Sequence, residues 1–464
     1  MSSLVRVVGV SHVHPDEVAV GGAWPPPHAV ELSFLDSFQV SKAPIQRLFF
    51  YEGDNLPTFE SIVLSLQSSL AATLAVFLPL AGKLAYLPES GDVVIDYSPS
   101  AVSAGVKFVE AEYSGSVNDM RRLASDEEHN TEAFLQLVPE LEVSRLPAPL
   151  LAVQVTRHRD DHATGAGAVV AVGVAIHHGV ADGQSVWQFI KAWAAAARGG
   201  SPAGPDLVLP MFDRSMIRHP TADAHEFAHT ILHKMSPALP VVTPHSRPSD
   251  MAQQRRRTFL LGAREIQSLK QRISESKTSG EQLHNRLSTY VAITSLAWTS
   301  IVRAKSLDAD DDIYFMVSAD CRRRLRPPAD EGYFGNCIAI AIAKASAGEL
   351  RDDGRGLAHA AAAIQTTIRE ELEDPVADAE RWVERLAAIP KGRLTAAGSS
   401  HRYMAYGTDF GWGSPSRVEL VTVYGDELVM LLGAAGDGVQ VSVVLGRAHM
   451  DAFAANFRQL VAST

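Results

Sequence analysis

The chain has 464 residues and a formal net charge of −11. Hydrophobic residues make up 46% of it and charged residues 20%, which excludes a disordered protein, and the length predicts two or three domains. An acidic chain without a basic arm is also a poor match for nucleic acid, whose phosphates must be neutralised.

Apolar spacing predicts alternating helices and strands in the first part of the chain. A helix over 61–77 is expected to end before Pro79, which cannot continue it. Two strands, 150–156 and 168–176, are expected to pair across a polar loop. A further helix over 184–198 should stop at the two glycines that follow it. This alternation predicts an α/β fold.

The stretch 199–250 differs from its surroundings, because it is rich in proline, histidine and serine and has little periodicity. We expect it to be a crossover between an N-terminal domain, 1–198, and a C-terminal domain, 251–464. One short helix, 224–234, is predicted within it.

The C-terminal domain is expected to alternate in the same way, and its glycine-rich segment 433–438 is predicted to be a hairpin turn. A nucleotide-binding loop is disfavoured there because a strand follows instead of a helix. The predicted strands are 257–261, 313–318, 428–432 and 439–445, and the predicted helices are 263–275, 288–305 with Ser288 as N-cap, and one from about 450.

The chain has only two cysteines, Cys321 and Cys337, which excludes a disulfide framework and fits a reducing compartment. The N-terminus lacks the apolar core of a signal peptide, and no apolar run is expected to be long enough to cross a membrane. We therefore expect a cytoplasmic monomer without nucleic-acid or membrane partners.

The strongest local signal follows the strand 168–176, where His177 and His178 precede a turn and a helix. A histidine at a strand end can accept a proton near pH 7, since its ordinary pKa is about 6.5. Alternatively, His178 only satisfies the turn, and in either case Asp182 is expected to cap the helix. No metal site is expected, because adjacent strand residues face opposite sides and no ligand cluster accompanies them.

A second segment, Asp409-Phe410-Gly411-Trp412-Gly413, places two glycines around a tryptophan. Such spacing predicts tight backbone turns that hold one ring in a fixed position. From spacing alone, a buried turn is a simpler interpretation of Trp412 than a catalytic role.

Five segments, which follow one another along the chain as they do in the family, resemble motifs of the BAHD family of plant acyl-CoA-dependent acyltransferases. His178 to Gly183 match the family's His-x-x-x-Asp-Gly motif, and Asp409 to Gly413 match its Asp-Phe-Gly-Trp-Gly motif. The other three are a helix with a Pro-Leu-Ala-Gly turn at 69–84, Asp-Cys-Arg-Arg-Arg-Leu at 320–325, and Tyr-Phe-Gly-Asn-Cys at 333–337. The resemblance covers nearly the whole chain.

The resemblance implies an α/β fold with two domains like chloramphenicol acetyltransferase, joined by the crossover, and an active-site channel at their interface. It implies that His178 removes the acceptor proton during attack on an acyl-CoA thioester, without an acyl-enzyme or a permanently bound cofactor. Trp412 is implied as the oxyanion donor. Asp182 is expected to have a structural role and to pair with Arg322 or Arg324.

The resemblance also suggests residues that bind coenzyme A. Ser276 and Lys277 match a position that contacts a coenzyme A phosphate in some relatives, and Ser288 and Thr289 are candidates for lining the pantetheine arm.

The Tyr-Phe-Gly-Asn-Cys form resembles the subgroup that acts on flavonoid and anthocyanin glycosides, which implies malonyl-CoA as donor and a phenolic or flavonoid glycoside as acceptor. A buried malonyl carboxylate needs a cation, and Arg402 is the candidate because it lies shortly before Asp409. The segment 399–403 departs from close relatives, since it lacks their proline. A hydroxycinnamoyl donor acting on a flavonoid, another alcohol or an amine, and a non-catalytic binding protein on the same fold, remain alternatives.

Overall fold

The computed structural model describes residues 3–16, 28–54, 56–159, 168–219, 222–243, 253–276 and 287–462. The described strands are, in chain order, β1 (Val5–Val13), β2 (Ala29–Glu31), β3 (Ile45–Gly53), β4 (Lys83–Leu87), β5 (Asp92–Asp96), β6 (Val106–Tyr113), β7 (Ala148–Pro149), β8 (Leu151–His158), β9 (Ala168–Ile176), β10 (Gln254–Leu261), β11 (Asp312–Asp320), β12 (Ile338–Ser346), β13 (Leu394–Gly398), β14 (Arg417–Leu420), β15 (Leu428–Gly433) and β16 (Val439–Gly446).

The described α-helices are α1 (Phe34–Ser37), α2 (Phe59–Val76), α3 (Pro99–Val102), α4 (Val117–Ser125), α5 (Thr131–Gln136), α6 (Gly183–Ala197), α7 (Ala224–Met235), α8 (Ala263–Glu275), α9 (Thr289–Arg303), α10 (Ala347–Arg351), α11 (Gly356–Glu371), α12 (Trp382–Ala387) and α13 (Arg447–Ala462). The helices predicted over 61–77, 184–198, 224–234, 263–275 and 288–305 are confirmed as α2, α6, α7, α8 and α9. The helix expected from about 450 is confirmed as α13, although it begins three residues earlier.

The first large sheet has the strand order β1-β6-β8-β9-β3-β14. Its strands β8 and β9 confirm the two strands predicted at 150–156 and 168–176. Strand β9 pairs antiparallel with both β8 and β3, so its end at Ile176 lies in the interior of the sheet. The segment that carries His177 and His178 therefore leaves the sheet between two neighbouring strands, where a side chain can be partly enclosed.

The second large sheet has the order β10-β16-β15-β13-β11-β12, and a small third sheet has the order β2-β5-β4-β7. All four strands predicted for the C-terminal domain are found in the second sheet, as β10, β11, β15 and β16. The predicted hairpin is confirmed as well, because β15 and β16 pair antiparallel from Gly433 opposite Val439.

The two halves of the chain exchange elements, which departs from a simple division at the crossover. Strand β14 comes from the C-terminal half but pairs with β3 of the first sheet. Conversely, Phe34 of α1 and Phe227 of α7 are buried in the hydrophobic core that contains the second sheet. Each core thus contains residues from outside its own domain, in the crossover or beyond it, which fixes the interface between the domains.

Helix α2 has the length and apolar composition to cross a membrane, contrary to the expectation that no run was long enough. In the structure it is a core helix of the first domain. Its residues Ile62, Leu66 and Leu70 are fully buried, and the indole N–H of Trp193 on α6 donates to the carbonyl oxygen of Leu66 at 3.2 Å. The helix ends at Val76, with Phe77 as its C-cap, and is followed by a short 3-10 turn that contains Pro79, as the sequence predicts.

Candidate active site

The two adjacent histidines at the end of β9 have different roles. His177 is fully buried, and its Nδ1 accepts a hydrogen bond from the backbone N–H of Gly179 at 3.0 Å. Burial lowers the pKa of His177 to about 4, so its ring is neutral at pH 7. The turn-satisfying role that was one interpretation of His178 is therefore filled by His177.

His178 begins the 3-10 turn His178–Val180 and is partly exposed. Its Nδ1 is enclosed and faces the carbonyl oxygen of the same residue, which leaves Nε2 as the nitrogen that can reach a substrate. The ring is edge-on to Tyr424, with centroids 5.3 Å apart, and the backbone carbonyl accepts from Asn336 Nδ2 at 2.8 Å. Both the ring and the backbone of His178 are thus held in place.

The pKa of His178 is lowered to about 3, first by burial and then by the positive charge of Lys42. The ring is therefore neutral at pH 7, which is the protonation state that a general base needs. Lys42 itself is partly buried, and burial lowers its pKa to about 8.

Asp182 caps α6, as predicted, because its Oδ1 accepts from the backbone N–H of Ser185 at 3.0 Å. It also forms a two-pronged ion pair with Arg322, at 2.8 Å and 3.0 Å, and accepts from the backbone N–H of Cys337 at 2.9 Å. Burial alone would raise the pKa of the Asp182 carboxyl, but Arg322 offsets this and the pKa is lowered. The carboxylate is fully occupied by structural partners.

The structure also decides between the two arginines proposed for Asp182. Arg322 makes the ion pair, whereas Arg324 donates to the carbonyl oxygen of Leu372 at 3.0 Å. Gly183, the last residue of the motif, lies against Tyr403: a Cβ at this position would meet the tyrosine ring at 3.4 Å.

A second buried ion pair, which sequence reasoning missed, lies beside the histidine turn. Asp36 Oδ2 accepts from Arg214 Nε at 3.0 Å, and Asp36 Oδ1 accepts from both the backbone N–H and the side-chain amide of Asn336 at 2.9 Å. Arg214 also donates to the carbonyl oxygen of Val180 at 3.3 Å. Asn336 therefore links this pair to the carbonyl of His178. The one sequence signal was the Ser-x-x-Asp capping box at Asp36, which predicts only a helix start.

The segment from Asp409 to Gly413 forms the tight glycine turn that was predicted. Asp409 Oδ1 accepts from the backbone N–H of Gly411 at 2.7 Å and of Gly413 at 2.8 Å. The φ angles of the two glycines are 104° and 91°, a region that side chains other than hydrogen strain.

The position of Trp412 contradicts its predicted catalytic role. Its ring is edge-on to Tyr51, with centroids 5.3 Å apart. Tyr51 pairs with Val170, six residues along β9 from Ile176. At about 3.3 Å per strand residue, Val170 lies roughly 20 Å from Ile176, and His178 follows beyond that end of the strand. The prediction that Trp412 donates to the oxyanion is therefore wrong, and its ring packs at the other end of the strand.

Three of the four residues suggested for coenzyme A are described, and Lys277 lies outside the described residues. Ser276 is the C-cap of α8, and its hydroxyl donates to a backbone carbonyl one turn earlier at 3.0 Å. Ser288 is the exposed N-cap of α9, and Thr289 Oγ1 accepts from Lys270 Nζ at 2.8 Å. The start of α9 thus offers backbone N–H groups and a nearby cation.

Arg402 is exposed, which contradicts the buried carboxylate site predicted for it. It lies near His401, whose pKa is lowered first by burial and then by Arg402 and Lys270. The following residue, Tyr403, turns inward instead, toward Trp187, with ring centroids 6.2 Å apart.

Among the described residues, no group of three or more histidine, cysteine, aspartate or glutamate side chains could hold a metal ion.

A model of the transferase family matches residues 22–460. Malonyl-CoA:anthocyanidin 5-O-glucoside-6''-O-malonyltransferase of Arabidopsis thaliana is 31% identical over 437 residues, covering 92% of this chain and 93% of that protein. Phenolic glucoside malonyltransferase 1 of the same plant is 27% identical over 474 residues, covering 97% and 96%.

The fold is similar to the crystal structure of vinorine synthase, with a TM-score of 0.72 and 20% identity over 98% of each chain. This likeness shows the two-domain α/β fold, and the family match spans both domains and both motifs. The chain therefore belongs to the transferase family of BAHD acyltransferases, enzymes that use acyl-CoA as co-substrate.

Proposed function

We propose that the enzyme transfers a malonyl group from malonyl-CoA to a hydroxyl of a phenolic or flavonoid glycoside, with His178 as general base. The observation that carries the proposed chemistry is the neutral, partly exposed His178 ring, whose enclosed Nδ1 leaves Nε2 as the nitrogen available to a substrate. The names of the two malonyltransferases above support the donor and the acceptor class.

In this reaction, His178 Nε2 accepts the proton of the acceptor hydroxyl as its oxygen forms a bond to the thioester carbonyl carbon. The tetrahedral intermediate then breaks its carbon–sulfur bond and releases the coenzyme A thiolate, which takes the proton from His178. Atoms and charge balance without an acyl-enzyme. Both substrates must therefore be bound together, and their positioning supplies part of the rate.

The buried ion pairs Asp182–Arg322 and Asp36–Arg214 form a scaffold of buried pairs, which holds the base in position without taking part in the chemistry. Asp182 and Arg322 join the start of α6 to the segment before β12, and Asn336 ties that segment to the His178 carbonyl. In this account Asp182, Arg322 and Asn336 are positioning residues.

For the donor, we place the coenzyme A moiety beside the N-terminus of α9. Its first backbone N–H groups and dipole suit a phosphate, and Lys270 and Arg402 add positive charge nearby. Ser276, Lys277, Ser288 and Thr289 remain the proposed contacts.

We also propose that the enzyme works as a monomer in the cytoplasm. The two free cysteines are consistent with a reducing compartment. Sedimentation would test the oligomeric state, and cell fractionation would test the location.

Incubation of the enzyme with malonyl-CoA, acetyl-CoA and coumaroyl-CoA against a panel of phenolic and flavonoid glucosides tests the proposal. We expect a product heavier by one malonyl group and release of free coenzyme A thiol in equal amount. A preference for coumaroyl-CoA on any acceptor would contradict the malonyl proposal and favour the hydroxycinnamoyl alternative. The absence of thiol release from every donor would favour a binding protein.

A further inference from the structure

One buried arginine near the active site has no acidic partner. Five described arginines are buried, and four of them pair with a carboxylate: Arg214 with Asp36, Arg256 and Arg417 with Glu419, and Arg322 with Asp182. Arg47 is the exception among the described residues. It is 8% exposed, one terminal nitrogen donates to the neighbouring Gln46 carbonyl at 3.0 Å, and its Nε is buried without a partner.

Burial lowers the pKa of Arg47 to about 10, so the guanidinium still carries its charge at pH 7. A buried charge without a counterion is costly, because the protein interior replaces water with weaker interactions. A ligand that brings a carboxylate would remove this cost. The guanidinium lies over the Trp187 ring, 5.7 Å from its centroid.

Arg47 lies close to the proposed reaction centre. It pairs with Val174 on β9, four residues before His178 and so within roughly 13 Å along the chain. Tyr424 lies between the two, since its ring is edge-on to His178 and it is close enough to Arg47 to raise the pKa of the arginine. Tyr403 also raises the pKa of Arg47, and its ring lies 3.4 Å from where a Cβ at Gly183 of the histidine motif would be.

We propose that Arg47 binds the free carboxylate of the acyl donor and so selects malonyl-CoA over donors with neutral acyl groups, an inference that rests on the proposed function. In malonyl-CoA a single methylene separates the carboxylate from the thioester carbonyl, which the acceptor oxygen attacks as His178 removes its proton. The planar guanidinium suits a carboxylate with two parallel hydrogen bonds. An acetyl or coumaroyl group leaves the charge unpaired and is disfavoured for that reason.

Two other cations near the site fit this role less well. Lys42 is partly exposed and Arg402 is exposed, so both are more accessible to water than Arg47. Lys42 also acts directly on the His178 ring, whose pKa it lowers. Neither carries the buried, unmatched charge that makes a carboxylate binding partner favourable at Arg47.

Arg47→Met keeps an unbranched side chain and removes its charge, and Lys42→Met, which removes a cation that is not among the proposed coenzyme A contacts, is the matched control. Calorimetric binding of malonyl-CoA and acetyl-CoA, without acceptor, is the direct readout. We expect wild type to favour malonyl-CoA, and Arg47→Met to weaken malonyl-CoA binding by about ten- to a hundredfold with little change for acetyl-CoA. Its melting temperature should stay the same or rise, because an uncompensated charge is gone.

The outcomes separate the two proposals. If wild type prefers malonyl-CoA and Arg47→Met keeps that preference, or Lys42→Met loses it instead, Arg47 is not the carboxylate site although the proposed donor stands. An equal loss for both donors with a lower melting temperature would show a structural role and would likewise overturn the inference. If wild type itself does not prefer malonyl-CoA to acetyl-CoA, the proposed donor fails and the role of Arg47 fails with it.

Discussion

Asp182→Asn tests whether the Asp182–Arg322 pair acts through structure. The carboxylate accepts four hydrogen bonds, from Ser185, Cys337 and two nitrogens of Arg322. The substitution keeps the shape of the side chain but replaces one acceptor oxygen by an NH₂ group, which then faces donors. It also leaves Arg322, whose side chain is 6% exposed, without its buried countercharge.

Breaking a buried pair by removing one partner costs about 3–5 kcal/mol. For domains of about 200 residues, each kcal/mol shifts the melting temperature by about 2–4 °C, so we expect a decrease of about 6–20 °C. Activity should fall together with stability, and part of it should return when turnover is measured well below the variant's melting temperature.

Asp320→Asn is the matched control, because Asp320 contacts the same arginine nitrogen at 3.0 Å but its side chain is 42% exposed. Exposed pairs contribute about 0–1 kcal/mol, so this variant should melt within a few degrees of wild type. Thermal unfolding followed by circular dichroism, combined with thiol release at low temperature, measures both effects. An Asp182→Asn enzyme with unchanged melting temperature and no activity would refute the reasoning and point to direct chemistry.

Three further predictions concern other parts of the molecule. The pKa of His129 is lowered to about 3, first by burial, so the unfolded chain binds a proton below about pH 6.5 that the folded protein does not. Stability should therefore be complete above that pH and fall below it, and unfolding titrations should show that His129→Gln reduces the slope between pH 4 and 6 by about 1.4 kcal/mol per pH unit. Lys277→Ala should raise the KM for acyl-CoA with little change in kcat, and the rise in KM should be much smaller for a 3′-dephospho donor. An equal rise in KM for both donors would place Lys277 away from the coenzyme A phosphate. Gly411→Ala should lower stability by about 1–3 kcal/mol, because φ is 104° there, while turnover of the folded enzyme stays within a few-fold of wild type.

The sequence predicted features whose cause is local. Asp182 could be predicted as a helix cap because the cap and the helix are adjacent in the chain, and the glycine turn around Trp412 could be predicted from residue type alone. The distance of Trp412 from His178 could not, since it depends on the register between β3 and β9. A short motif says how its own backbone turns but not which end of a strand it packs against.

Features formed by distant residues were missed. Asp36 and Arg214 are 178 positions apart, and each has an ordinary local interpretation. The exchange of β14 into the first sheet depends on tertiary packing in the same way. For the donor carboxylate, the sequence favoured Arg402 because it is near a motif, whereas Arg47 lies in an apolar strand. That Arg47 is buried and without an acid partner becomes visible only when its surroundings are known.

The most direct test of the central claim is the rate of coenzyme A thiol release by wild type and His178→Ala with saturating malonyl-CoA and a phenolic glucoside. General-base catalysis contributes about a hundredfold to ten-thousandfold to the rate, so kcat should fall by at least about a hundredfold. Melting temperature and acetyl-CoA affinity should remain close to wild type, because the scaffold of buried pairs does not use the His178 ring. A His178→Ala enzyme that keeps its activity within a few-fold of wild type would remove this residue from the mechanism.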